Sequence, residues 1–161
     1  MPPCVAAATG HRGPRLRAPR GIAGALRLEN IALAFLAQLQ PDAAISGMAL
    51  DWDQAFARAA LRLRIPLVCA IPCDEIEQTS RWTAGAAAEY MHVLRQATEV
   101  HRIGTQLAFN KACLARNEWM ADRAHVVAAM WDGDRHGGTA HCVRYATDLG
   151  RPVVNLWGMQ L

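Results

Sequence analysis

The sequence predicts an α/β fold, one parallel sheet of about six strands with helices on both faces. Three observations carry that reading. Short apolar runs alternate with longer amphipathic segments from end to end, the pattern of βα units. The longer segments repeat apolar residues at i, i+3, i+4 and i+7, the stripe of a helix lying on a sheet. The run Val126-Val127-Ala128-Ala129-Met130-Trp131 is apolar without alternation, as a strand covered on both faces must be.

The predicted strands fall at 4–8, 43–46, 67–71, 97–101, 125–131 and 153–157. Leu28, Ile31, Ala32, Phe35, Leu36 and Leu39 mark the first helix, and Trp52, Ala55, Phe56, Ala59, Ala60 and Leu63 the second. Further helices are expected at 81–95, 110–124 and 139–149, the last stopped by Gly150 and Pro152. Six strands and five helices result, with strand 125–131 at the centre. Right-handed crossovers between parallel strands make the product a doubly wound, Rossmann-like sandwich.

At 161 residues, 52% hydrophobic and 19% charged, the chain has the size and content of one domain, 1–161, that needs no disulfide or metal staple. Its five cysteines, at 4, 69, 73, 113 and 142, are odd in number and lack zinc-ligand spacing, which predicts reduced, mostly buried thiols. Sixteen of the 17 Lys and Arg residues are arginine, yet the net charge is only +3 and the aromatic content 6%. Those values argue against phosphate tracking and base stacking along a strand, so nucleic acid is not expected as a partner. No apolar run approaches a membrane span of roughly 18 residues and no signal-peptide plan opens the chain, which predicts a soluble, cytoplasmic protein.

In an open α/β sheet the ligand sits beyond the carboxyl ends of the strands, so the residues just after each strand are the candidates. Thr9-Gly10-His11-Arg12 follows the first strand, and Arg12 offers a guanidinium fork for phosphate while His11 suits a ribose hydroxyl or phosphate. Arg15, Arg17 and Arg20, farther along that loop, read as solvated charges. Gly47 and Met48 lead to Asp51, assigned as a helix cap, and to Asp53, placed to bond a ribose or base edge. Asp132 and Gly133 lead to Gly137-Gly138-Thr139, where Thr139 caps the next helix and leaves its N–H groups free for an anion. Arg116, Asn117 and Glu118 interrupt the apolar face of the helix at 110–124, as side chains facing a polar site do. No acidic pair has a partner suited to a metal, so neither metal nor cofactor is expected.

Taken in order, Thr9-Gly10-His11-Arg12, Gly47-Met48-Ala49-Leu50 with Asp53, Ile71-Pro72, Arg116-Asn117 with Trp119-Met120, and Trp131-Asp132-Gly133 with Gly137-Gly138-Thr139 resemble the YspA/YpsA-related branch of the SLOG superfamily. The resemblance implies a Rossmann-like domain that binds nucleotides or nucleotide-derived ligands, such as ADP-ribose-like molecules, in a pocket closed by the Gly-Gly-Thr loop. The superfamily also contains the Lonely Guy phosphoribohydrolases and DNA-processing proteins that hold single-stranded DNA. Four positions depart from the pattern. The Lonely Guy catalytic glutamate position falls on Cys142, leaving Glu118 and Asp132 as the candidates to supply a carboxylate. Asp51 stands where the branch has glycine, and Gly13 where it has proline. Cys73 stands where an aromatic residue is common, which leaves Trp52 or Trp82 to provide a stacking surface.

Three readings follow. The first is a sensor, carrier or sequestering protein that holds phosphate on Gly138 and Thr139, with Arg12 and Arg116 supplying charge and Asp53 or Asn117 reading the ribose. The second is an N-glycoside hydrolase of nucleoside 5′-monophosphates, and the third a binder of single-stranded nucleic acid. A homo-oligomer is expected from the domain's small size and its tryptophans.

Overall fold

The computed structural model describes residues 2–16 and 21–160. Arg17 and Arg20, read above as solvated charges, lie outside the described residues. Six strands, β1 (Val5–Gly10), β2 (Ala43–Ser46), β3 (Leu67–Ile71), β4 (Glu99–Arg102), β5 (Val126–Met130) and β6 (Val153–Asn155), form one parallel sheet in the order β4-β3-β2-β1-β5-β6. The chain steps outward from β1 to β4 and then crosses back to lay β5 on the other side of β1. The direction of winding thus reverses between β1 and β5, and the crevice at their carboxyl ends is where such sheets take ligands.

Helices α1 (Ile22–Leu39), α2 (Trp52–Arg62) and α4 (Ala84–Arg95) cover one face, and α5 (Phe109–Arg123) and α6 (Gly138–Asp148) the other. The predicted α2 stripe is buried without exception up to its last turn, with Trp52, Ala55, Phe56, Ala59 and Ala60 all fully enclosed. Trp52 therefore belongs to the core and offers no stacking surface; its indole N–H donates to the Ala128 carbonyl at 3.3 Å. Trp82 packs edge-on against Tyr90 at 5.3 Å. All five residues of β5 are buried, as its unbroken apolar run requires, but β1 and β2 are the middle strands.

Several boundaries shift for local reasons. Strand β1 runs on to Gly10 because Thr9 and Gly10 stay in register with Ala129 and Met130. Gly10 is the residue that permits this end to close, since a Cβ there would lie 2.5 Å from the Trp52 ring and 2.9 Å from Met130. Helix α1 starts six residues before its apolar stripe, at Ile22, with Gly21 at φ 74 as its N-cap. The short helix α3 (Glu75–Thr79) was not expected; Asp74 caps it by accepting from the Glu77 N–H at 2.9 Å, and five residues are too few to show a period. Thr83 caps α4 in the same way, through the Ala86 N–H, which sets its start at 84 instead of 81.

Helix Ile22–Leu39 is, by length and composition, long and apolar enough to cross a membrane, which corrects the expectation that no run approaches that size. In this fold its inner face packs on α2, and its buried Glu29 accepts from Arg58 and Arg62 at 3.0 Å each. Such a carboxylate is matched to a helix pair packed within a protein, where two guanidinium groups offset its desolvation.

Candidate functional site

A cleft of about 840 Å³ opens at the carboxyl ends of β1 and β2, between the first turns of α5 and α6. Of the predicted residues, Thr9, Gly10, His11, Arg12, Asp53, Arg116, Asn117, Gly137, Gly138 and Thr139 line it. Gly47, Met48, Glu118, Asp132 and Gly133 do not; four of these five shape or brace the lining from behind, as follows.

Helix α6 begins at Gly138, one residue earlier than expected. Gly137, with φ 94, is its N-cap and makes no side-chain cap, so Thr139 is not the capping residue. The first helical bond runs from the His141 N–H to the Gly137 carbonyl at 3.1 Å. The N–H groups of Gly138, Thr139 and Ala140 find no acceptor among the described residues, and two of those three residues line the cleft. A helix start of this kind, with no acidic residue in its first turn, favours an anion.

Arg116 reaches this region from α5 and is buried except for 7% of its surface. Its Nε donates to Asn117 Oδ1 at 3.0 Å and its Nη1 to the Gly47 carbonyl at 2.7 Å, while Nη2 has no partner among the described residues. Asn117 in turn donates Nδ2 to the Gly138 carbonyl at 3.1 Å. One chain of bonds therefore fixes the loop after β2, α5 and the start of α6 relative to one another. Gly47 matters for its size, since a Cβ there would stand 2.9 Å from Arg116 Nη1 and 3.0 Å from Asp53 Oδ2. Met48, with φ 58, is fully buried below the cleft. Arg12 is exposed and has neither hydrogen bond nor ion pair among the described residues.

Asp51 holds the N-cap position of α2, as expected, but its side chain makes no capping bond there. Its φ is 70, and its Oδ2 accepts from the Gly13 N–H at 2.7 Å, tying the loop after β1 to the start of α2. Asp53 is buried, not solvated: it accepts one long bond, 3.3 Å from the Ala49 N–H, and its Oδ1 is unpartnered among the described residues. Burial pushes its carboxyl up to about 6, against the attraction of Arg116 and Arg12.

Asp132 is committed elsewhere. Its carboxylate lies 2.7 Å from His11 Nε2 and 3.0 Å from Arg15 Nη2, and Arg15 also pairs with Asp134 at 2.9 Å. Burial works to raise the Asp132 carboxyl, but the Asp134 N–H, His11 and Arg15 together outweigh it and bring the group down to about 2. Arg15 is thus a brace between two loops and a member of the cleft wall, not a solvated charge. Glu118 does not line the cleft; it meets His141 Nε2 at 3.2 Å, and His141 is the member of that pair that does. Cys142 is enclosed on the inner face of α6, and burial pushes its thiol up to about 11. The position corresponding to a hydrolase glutamate is therefore neither acidic nor in the cleft.

The sequence points to Arg116 and Asn117 on α5 but not to the apolar part of that wall, where Phe109 and Leu114 line the cleft with 40% and 38% of their surfaces exposed. A signal for it existed, because the loop after β4 ends at the same carboxyl edge of the sheet as the loops that hold the predicted residues. Among the described residues, no group of three or more His, Cys, Asp or Glu side chains is placed to hold a metal ion.

No family model and no curated protein sequence matches the chain. Solved structures do match its fold. DNA processing protein A from Streptococcus pneumoniae superposes with a TM-score of 0.62 at 20% identity, covering 94% of this chain and 49% of that one. A structure of DNA processing protein A from Helicobacter pylori, described for its single-stranded DNA binding mode, gives 0.66 at 18% identity, over 94% of this chain and 64% of that one. The structural-genomics target TM1055 gives 0.61 at 17% identity, over 97% and 75%. The chain spans less than two thirds of both DNA processing proteins. These likenesses support a Rossmann-like fold. They also overturn the expectation against nucleic acid as a partner, since a protein with this fold is described for its single-stranded DNA binding mode. The error lay in averaging: a net charge of +3 conceals four arginines, Arg12, Arg15, Arg116 and Arg144, on one cleft.

Proposed function

We propose that the cleft binds the phosphate and sugar of a nucleotide-type ligand, and that the chain is a sensor, carrier or sequestering protein of the YspA/YpsA-related kind. The observation that carries this reading is convergence. The acceptor-free amides of Gly138 and Thr139, the spare Nη2 of Arg116 and the unpaired guanidinium of Arg12 belong to one cleft at the point where the sheet reverses its winding. Each charge-assisted bond to a phosphate oxygen is worth about 1.5–3 kcal/mol, so three or more are needed to approach the roughly 8 kcal/mol of micromolar binding. Phe109 and Leu114 supply an apolar wall for a base. Hydrolysis of the N-glycosidic bond is the less favoured chemistry, because Cys142 stands at the glutamate position and neither Glu118 nor Asp132 lines the cleft, which leaves Asp51 and Asp53 as its carboxylates.

A second reading, favoured by the single-stranded DNA binding described for the Helicobacter pylori protein, is that the nucleotide belongs to a single strand of nucleic acid. Thermal unfolding against AMP, ADP, NAD, ADP-ribose and nicotinamide mononucleotide, with each mixture analysed by mass spectrometry, separates these readings. A stabilising small molecule recovered intact supports binding, and free base with ribose phosphate supports hydrolysis. An oligonucleotide whose affinity falls steeply between 50 and 200 mM salt, with no response to the small molecules, supports the second reading. No response to either class contradicts both.

A further inference from the structure

Asp53 is a buried carboxylate whose capacity to accept hydrogen bonds is almost unused. An ionised carboxylate has room for about four donors. Here it has one, the Ala49 N–H at 3.3 Å, and Oδ1 has none among the described residues. Neither nearby arginine satisfies it: Arg116 turns Nη1 to the Gly47 carbonyl, and Arg12 attracts the group only through space. The residue is 5% exposed, yet its side chain forms part of the cleft lining. Keeping such a group enclosed and under-bonded costs stability, and the cost is recovered when a ligand supplies the donors.

Position says which donors those are. Asp53 Oδ2 and Arg116 Nη1 flank Gly47 closely enough that one added methyl would touch both, at 3.0 and 2.9 Å. A phosphate held by Arg116 and the α6 amides therefore leaves a sugar within reach of Asp53, whereas a base amine lies on the far side of that sugar. Asn117, the other residue suited to read a ribose, has both ends of its amide engaged, to Arg116 and to the Gly138 carbonyl. We propose that Asp53 accepts the paired 2′- and 3′-hydroxyls of a ribose, so that the cleft selects ribonucleotides over deoxyribonucleotides and over free phosphate. This rests on the nucleotide reading above and adds to it the identity of the sugar. The two oxygens suit a vicinal diol side by side, and the χ2 rotation of an aspartate exchanges Oδ1 and Oδ2 at little cost.

The test compares the affinities of AMP, 2′-deoxy-AMP, 3′-deoxy-AMP and inorganic phosphate for the wild type and for Asp53→Asn, at pH 7.5. The wild type should bind AMP about tenfold or more tighter than either deoxy form, the worth of a hydrogen bond to a charged group. Asp53→Asn, which keeps the acceptor for Ala49, should bring the three nucleotides to within about threefold of one another. Equal affinities in the wild type, or a preference that survives in Asp53→Asn, would overturn the ribose assignment while leaving nucleotide binding intact. Absence of binding by every phosphate would contradict the nucleotide reading itself, and the ribose assignment with it.

Discussion

Arg116 donates Nη1 to the carbonyl of Gly47 at 2.7 Å, joining the helix after β4 to the loop after β2 across the floor of the cleft. The contact uses one nitrogen of the guanidinium and leaves Nη2 for a ligand. Two residues 69 positions apart in sequence thereby define one wall, and the glycine is required because its missing side chain is the space the arginine occupies.

Gly47→Ala should expose that dependence. The added Cβ would stand 2.9 Å from Arg116 Nη1 and 3.0 Å from both Arg116 Cδ and Asp53 Oδ2, so the arginine must withdraw. Loss of about tenfold or more in nucleotide affinity is expected, with a stability cost of roughly 1–3 kcal/mol for overpacking. Calorimetric titration and denaturant unfolding of the same variant measure the two.

Arg12 and Arg116 should separate cleanly. Arg12 is exposed and unpartnered among the described residues, so Arg12→Ala should weaken nucleotide binding about tenfold and leave the melting temperature unchanged within roughly a degree. Arg116→Ala should weaken binding and lower stability together, because it orphans the Gly47 carbonyl and Asn117 Oδ1. Thermal unfolding of both variants with and without AMP checks the contrast.

The protonation of Asp53 should be visible in stability. Its carboxyl stands at about 6 in the folded chain against 3.8 when unfolded, because burial outweighs Arg116 and Arg12, while Asp51 pushes in the same direction as burial. The folded state therefore holds its proton longer, and stability falls as pH rises from about 4 through 6. Below that window the penalty is absent, and above it the penalty is complete, at roughly 3 kcal/mol by the usual conversion of a pKa shift. Asp53→Asn should thus be more stable than the wild type at pH 8 and nearly equal to it at pH 3.5. A wild-type advantage at pH 8 would contradict the burial argument. Cys142, the nearby thiol that burial and Asp53 both raise, stays protonated throughout this range.

The cysteines should divide by access. Burial pushes Cys69 up to about 12 and Cys73 and Cys142 up to about 11, and all three are enclosed. Iodoacetamide at pH 8 should label Cys4 and Cys113 and spare the other three, as read by peptide mass spectrometry. Rapid labelling of Cys142 would place it in the cleft after all.

The fold was legible because its signals are periodic. The α2 stripe and the unbroken β5 run each encode burial directly, and β5 lies inside the sheet as its composition demands. Helix α3 escaped because five residues carry no period, and its Asp74 cap resembles any loop acid. The site was half legible. Loops after strands announced Thr9 to Arg12 and Gly137 to Thr139, but the partners of Asp51, Arg15 and Asp132 are set by tertiary approach. Asp51 meets Gly13, and Arg15 meets Asp132, across 38 and 117 positions of sequence. Local rules made Asp51 a cap and Arg15 a surface charge because nothing nearby in sequence competes for them.

A nucleotide phosphate docked on the first turn of α6 would perturb the amide resonances of that turn before any others. On titration with AMP, the ¹H–¹⁵N signals of Gly138, Thr139 and Ala140 should move together and saturate at one concentration, and adenosine should move them far less. Signals that stay in place while AMP binds elsewhere would contradict the account.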